Sequence, residues 1–453
     1  MRAPGLKHAM QASRALAPIA LAGIAAVAPS CARVIPAEGQ LVIFVTTDAP
    51  VGRAGPDRPT PLFDRMRVEV LLPGESVPCA GCAREFALDD DRMARGEASF
   101  GFFPRVHTPG HRAVVRLFRS GGTASGEPRP ASTLQSTVAL PEIGPEGVVE
   151  VTVMLRLADL AHVRGSLEAP VPVEPGRPTP GIVGSFAGAR GVPCASPPRG
   201  DEACVPGGAF WMGNPRLDVL DAREADGTSE RVVVLSPYFL DRAEVTVAAM
   251  RAARVARVID DPVEATPARP DCLYTADPGK DDDRPVNCLS WQRARAFCTK
   301  VGRRLPSEAE YEYAAGALTS RAFAWGGDLP TCGDAVHGGR GTCTSTTRPA
   351  LAGSGARDRL ILGSAVVVDL AGNLRELVAD RFRHGDEPCW GDGVFVDPVC
   401  ERDPPETQVA RSVRGGSYRD EGTLLRAALR SFIEDERFAV SELVGFRCAR
   451  DAR

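Results

Sequence analysis

Lysine is almost missing from this chain: Lys7, Lys280 and Lys300 are the whole complement against a large excess of arginine, and the formal net charge is -4. That balance leaves no basic footprint for a nucleic-acid backbone. Histidine is also scarce. His8, His107, His111, His162, His337 and His384 form no HxxxH array with a partner acid at helical spacing, so a histidine-built metal centre lacks its ligands. His107 and His111 are spaced like a metal pair, but they flank Pro109 and Gly110, and a solvated loop is expected there. No cysteine lies between Cys400 and Cys448, and no segment after the N-terminus has the apolar length to span a bilayer. What is present, 43% apolar and 25% charged residues over 453 positions, is the composition of a globular protein too long for one core.

The N-terminus is the first positive signal. Arg2, Lys7 and Arg14 precede an apolar run from Ala15 to Val27, which reads as an export signal. Ordinary cleavage after Ala28 would leave Pro29 at the first mature position, whereas Ala28-Pro29-Ser30-Cys31 loosely matches a lipobox. Lipidation of Cys31 is therefore expected, giving an exported envelope protein held at a membrane by acyl chains. The alternative is an ordinary signal with a free Cys31.

Removing Cys31 from thirteen cysteines leaves an even number, which suits disulfides in an oxidising compartment. Local spacing suggests Cys79 with Cys82, Cys194 with Cys204, Cys272 with Cys288, Cys332 with Cys343, and Cys389 with Cys400, leaving Cys298 and Cys448. Cys79 and Cys82 could instead be a redox pair or half a zinc site, but no helix start or second CxxC accompanies them.

Composition and periodicity divide the chain into a leader (1–31), an N-terminal β-sandwich (32–165), a Pro/Gly-rich linker (166–200) and a second domain (201–453). Strands are expected at 41–48, 66–72, 98–103, 112–118 and 148–155, where β-branched residues alternate with polar ones. The run EAPVPVEPGRPTPG from Glu168 has too little apolar surface to order itself. Beyond it, Thr246 is expected to cap a helix through Val258 and Ser290 another that carries Trp291, Ala294, Phe297 and Val301 on one face. Ser307 and Glu310 form a capping box, with Gly316 ending that helix. The run Asp281 to Asp283 is expected in a solvated turn. The remainder is rich in Gly, Pro and Asp, so the second domain reads as α+β, loop-rich and stapled by disulfides.

Blocks along that domain resemble the formylglycine-generating enzyme, or sulfatase-modifying factor, family: PGGAFWMGN (from Pro206), SPYFLDRAEVT (from Ser236), RPVNCLSWQRARAFC (from Arg284), GRRLPSEAEYEYAA (from Gly302), FAWG (from Phe323), VDLAGNLREL (from Val368), RGGSY (from Arg414) and GFRC (from Gly445). Their order over roughly the last 250 residues carries the resemblance. It implies a compact fold related to C-type lectin domains, poor in regular secondary structure, and a bridge between Cys298 and Cys448.

The resemblance also implies an oxidase that holds copper with two cysteines shortly after RGGS and converts a substrate cysteine to formylglycine. Here those positions are Asp420 and Leu425, and Ser417 is the matching serine. A hard oxygen and a hydrocarbon cannot replace two soft thiolates, and Ser417 without a neighbouring base is not an activated nucleophile. Copper is therefore not expected. Iron-dependent sulfoxide-forming relatives lack the thiols too, but they use histidines that this chain does not supply. Calcium is the better metal expectation. The family's loop ligands fall at Asp369, Gly372, Leu374 and Glu376, and hard oxygens on a tight turn suit Ca²⁺. A second family site would use Asp358 and the Leu360 carbonyl, but Val336 replaces its expected asparagine. Arg375, Leu377 and Val247 replace two family tryptophans and an asparagine, which thins the walls of a peptide groove.

The reading is of an envelope lipoprotein whose second domain is a non-catalytic binding or structural module for an unknown protein or glycan. The alternatives are a protein-modifying oxidoreductase with altered chemistry and a carbohydrate-binding module.

Overall fold

The computed structural model describes residues 39–52, 60–88, 91–104, 108–214, 230–253, 266, 269–338, 343, 348–383, 389, 391, 393–401, 410–434 and 440–452. The leader, Cys31, His8, His107 and His384 lie outside these residues.

Two sheets come first. One orders Glu174–Pro175, Val148–Leu155, Gln40–Thr47 and Ser99–Phe102; the other orders Val163–Arg164, Leu134–Ala139, Arg112–Phe118, Arg65–Leu71 and Ala83–Ala87. Period-two alternation sorts their side chains. Leu41, Ile43 and Val45 from the first sheet meet Val68, Val70, Val115 and Leu117 from the second in one buried cluster. On the outer face of the second sheet Arg67 donates to Glu85 and Arg116 to Glu69. The five expected strands are present; besides several two-residue strands, two longer ones were missed. Ala83–Ala87 is a mostly exposed edge strand, and Leu134–Ala139 buries polar Ser136 and Thr137, so neither shows a clean apolar alternation.

The expectation of a linker that cannot order itself is corrected. Val171–Pro172 pairs with Leu134–Ala139 and Glu174–Pro175 with Val148–Leu155, at sheet edges where proline's missing N–H costs nothing. Val171, Val173, Val183, Phe186 and Ala189 pack on the cluster, Thr152 donates to the Gly176 carbonyl (2.8 Å), and Arg177 grips Glu150. A few well-spaced apolar residues on a prefolded wall outweigh the segment's composition.

The boundary at 201 is likewise bridged by packing. Gly208–Met212 and Arg231–Leu235 pair antiparallel with both faces buried. Ala209, Trp211, Val232 and Val234 enter the first cluster, while Phe210, Met212, Val233 and Leu235 enter the second domain's core. The Trp211 Nε1 donates to the Leu62 carbonyl at 2.7 Å and its ring stands edge-on to Phe63. One hairpin thus belongs to two cores.

The second domain has sheets of two to four strands among the described residues, with three short helices. Helix α1 (Val247–Ala253) is capped by Thr246, whose hydroxyl accepts from Ala249; the residues to Val258 lie outside the described ones. Helix α2 (Trp291–Lys300) has Ser290 as its N-cap, and α3 (Glu308–Ala315) has the full capping box, with Glu310 donating to Ser307 Oγ and Ser307 to Glu310. Six disulfides join Cys79–Cys82, Cys194–Cys204, Cys272–Cys288, Cys298–Cys448, Cys332–Cys343 and Cys389–Cys400. The fourth ties α2 to the C-terminal strand across 150 residues. No helix among the described residues is long and apolar enough to cross a membrane.

One further expectation is corrected: His111 is buried against Phe102 rather than solvated. Asp281–Asp283 do form a partly exposed turn, as expected, with Asp281 paired to Arg284 and Arg348 and Asp282 to Arg251.

Candidate functional site

The strands Arg375–Arg381 and Arg411–Arg414 run antiparallel with Glu376 opposite Arg414. This pairing brings the loop from Asp369 to Glu376 beside the turn from Arg414 to Leu425.

The turn is built for close packing. Arg414 is fully buried, donating to Glu312 and to the Ala427 carbonyl. Gly415 has φ +72°, and a Cβ there would stand 2.9 Å from the Tyr311 hydroxyl. A Cβ on Gly416 would meet Leu425 at 2.7 Å.

Ser417 Oγ donates to Asp420 at 2.8 Å, and the Ser417 amide donates to the same oxygen at 2.7 Å. Arg375 closes on Asp420 with two bonds, Nε to Oδ2 (2.8 Å) and Nη2 to Oδ1 (2.7 Å). Both Asp420 and Ser417 are buried. Leu425 packs with Phe323, Ala335 and Ala371 in an apolar cluster. The expectation that Ser417 has no neighbouring base is corrected: its hydroxyl donates to the Asp420 carboxylate, but that carboxylate is held on both oxygens by Arg375, so the arrangement is a satisfied ion pair beside hydrocarbon. Arg375 and Asp420, two positions at which the resemblance expects other residues, are partners.

The loop expected to hold calcium carries an unusual density of charge. Asp369 and Asn373 sit at positive φ, 57° and 68°. Asp369 is wholly buried; its Oδ2 accepts from the Gly353 amide, and its Oδ1 has no hydrogen-bond partner among the described residues. The Glu376 oxygens accept from Arg447, Nε at 2.7 Å and Nη2 at 2.6 Å, and the same Nη2 reaches the Val368 and Asp369 carbonyls. Asp358 accepts from the amides of Leu370, Ala371 and Gly372. Val336, where the second site's asparagine was expected, offers its carbonyl to the Asn373 amide. Glu244, from the segment before α1, accepts from Asn373 Nδ2 (3.0 Å) and from the Leu374 amide (3.2 Å).

Four buried carboxylates thus face one buried guanidinium. Burial, then repulsion from Asp358, pushes the Asp369 carboxyl up to about 7, and burial pushes Asp358 up to about 6. Burial followed by the charges of Asp369 and Glu376 holds Glu244 well above the carboxylate range. Burial works against the charged form of Arg447, yet Glu376 keeps it above its ordinary value. No three His, Cys, Asp or Glu side chains among the described residues are arranged to hold a metal ion by themselves. A cation in this loop would need backbone carbonyls, and those of Gly372 and Leu374 are the ones expected from sequence. Neither Glu244 nor Arg447 was singled out there; their only signal is a charged residue inside otherwise apolar blocks, AEVT and GFRC.

A cleft of about 630 Å³ lies at the far end of the strand pair, lined by Trp291, Arg295, Arg304, Arg381, Arg411 and Glu401 among others. Ser417, Asp420 and Leu425 do not line it.

Comparison with known proteins matches residues 192–452 to a family described as sulfatase-modifying factor enzyme 1-like domain. The formylglycine-generating enzyme of Streptomyces coelicolor is 33% identical over 183 residues, 38% of this chain and 54% of that protein. That of Thermomonospora curvata is 29% identical over 288 residues, 54% of this chain and 92% of that protein. The inactive Cα-formylglycine-generating enzyme 2 of Bos taurus is 28% identical over 184 residues, 37% of this chain and 50% of that protein. The chain thus spans about half the length of several curated relatives it matches.

Proposed function

Because the chain belongs to the sulfatase-modifying factor enzyme 1-like family, we propose that its C-terminal domain is a non-oxidase member, a binding or structural module. The observation that carries this reading is the Arg375–Asp420 ion pair with Leu425 buried beside it, at the positions where the family resemblance expects an aromatic residue and two thiols. Soft thiolates select Cu(I); a carboxylate already held by a guanidinium does not. All twelve described cysteines are in disulfides, so none supplies a substitute. Among the relatives this chain is similar to is one named as an inactive enzyme, so a member without the oxidase activity has a counterpart. Titrating the purified chain with Cu(I) against a chromogenic chelator tests it: no copper retained is the expected result, and stoichiometric retention would overturn the reading.

The N-terminal unit is read as a β-sandwich that presents this domain at the cell envelope, with a lipid anchor on Cys31. Disulfides throughout the chain support an oxidising compartment, and Ala28-Pro29-Ser30-Cys31 supports the anchor. Metabolic acyl labelling should mark the wild type and not Cys31→Ala; label that persists in the variant rules this anchor out.

Calcium is the metal proposed for the Asp369–Glu376 loop, with Asp369 and the Gly372 and Leu374 carbonyls as ligands and Glu376 sharing its carboxylate with Arg447. Support comes from Asp369 Oδ1, a buried carboxyl oxygen without a partner among the described residues. The ion would bridge hard oxygens and tie the loop together.

A further inference from the structure

Glu244 does not belong to the loop that was expected to bind a cation, yet its carboxylate is fixed against that loop. The backbone around it cannot swing away: the Val245 amide donates to the Phe446 carbonyl, and the Val245 carbonyl accepts from Val286. The side chain is 3% exposed and bonded to Asn373 Nδ2 and the Leu374 amide. Those contacts hold the residue on either side of the Asn373–Leu374 peptide. The charged groups facing it are Asp369 and Glu376, which repel it, and Arg447, which attracts it.

Hydrogen bonding alone does not account for an acid here. A neutral acceptor could serve two donors without adding a fourth carboxylate to Asp358, Asp369 and Glu376 in a dry site that holds a single guanidinium. Asp369 Oδ1, buried and without a partner among the described residues, marks where the missing positive charge belongs. We infer that Glu244 is the electrostatic and positioning residue for a divalent cation at Asp369: its charge raises the site's affinity, and its two hydrogen bonds fix the turn that presents the Gly372 and Leu374 carbonyls. This inference rests on the calcium reading above and adds a residue from a different segment of the fold.

The test is isothermal titration of the full, metal-stripped chain with CaCl₂, comparing wild type with Glu244→Gln and Glu244→Asp. Glu244→Gln removes the charge and keeps the size; Glu244→Asp keeps the charge and shortens the reach. The expected result is calcium binding by the wild type, a loss of roughly tenfold or more in affinity for Glu244→Gln, and a smaller loss for Glu244→Asp, since a unit charge acting on a dication in a buried site is worth at least that factor. Circular dichroism checks that each variant is folded, and a calcium-induced rise in melting temperature provides a second readout of the same order. Glu244→Gln binding within twofold of wild type overturns the role of the charge, as does an equal loss in both variants. A wild type that gives neither heat nor a melting shift overturns the calcium reading itself, and the role of Glu244 with it.

Discussion

Arg447→Leu is expected to lower the unfolding free energy by about 3–5 kcal/mol in the presence of a chelator, because it leaves the Glu376 carboxylate buried without its cation. Arg447 and Glu376 are both fully buried, and Arg447 satisfies two carboxylate oxygens and three carbonyls at once. The loss therefore includes stranded acceptors as well as a stranded charge. Glu376→Gln in the same chain should recover much of the cost, since the variant pair removes both charges together. Chemical denaturation of the single and double variants measures this directly. A single-variant cost under 1 kcal/mol would mean that water or another cation reaches Glu376, and the tight pairing would have to be abandoned.

Trp211→Ala should cost about as much, roughly 3–5 kcal/mol, with a different signature. Trp211 is the largest side chain that the Gly208–Met212 strand sends into the N-terminal cluster, where it bonds Leu62, meets Phe63 edge-on and lies under the Arg119 guanidinium. Deleting it hollows the seam between the two cores rather than either core alone. Wild-type calorimetry should show one cooperative transition, and the variant should show two as the units uncouple. Two transitions already present in the wild type, or one retained in the variant, would show that the shared hairpin does not couple the cores.

Much of this architecture was legible in the residues. The β-branched alternation at Val148–Leu155 and the Ser307–Glu310 box are local signals, and local physics enforces both. Cysteine pairs eleven or sixteen residues apart were legible for the same reason. What could not be read was long-range: that a proline-rich stretch would find a wall to pack on, and that one hairpin would be buried on both faces. The site divides similarly. That Asp420 and Leu425 stand where the resemblance expects thiols is visible in sequence, but what Asp420 does there is not, because its guanidinium partner Arg375 is 45 residues away. The loop at Asp369 was legible from its motif. Its charge balance was not, because Glu244 and Arg447 come from segments 129 and 71 residues from their partners Asn373 and Glu376.

On the proposed reading, the turn from Arg414 to Leu425 is scaffold and carries no redox chemistry. The most direct measurement incubates the purified full chain with copper, oxygen and a cysteine peptide bearing the sulfatase motif, and follows the peptide by mass spectrometry. No conversion of the cysteine to formylglycine above the protein-free control is the expected result; multiple-turnover aldehyde formation would contradict it.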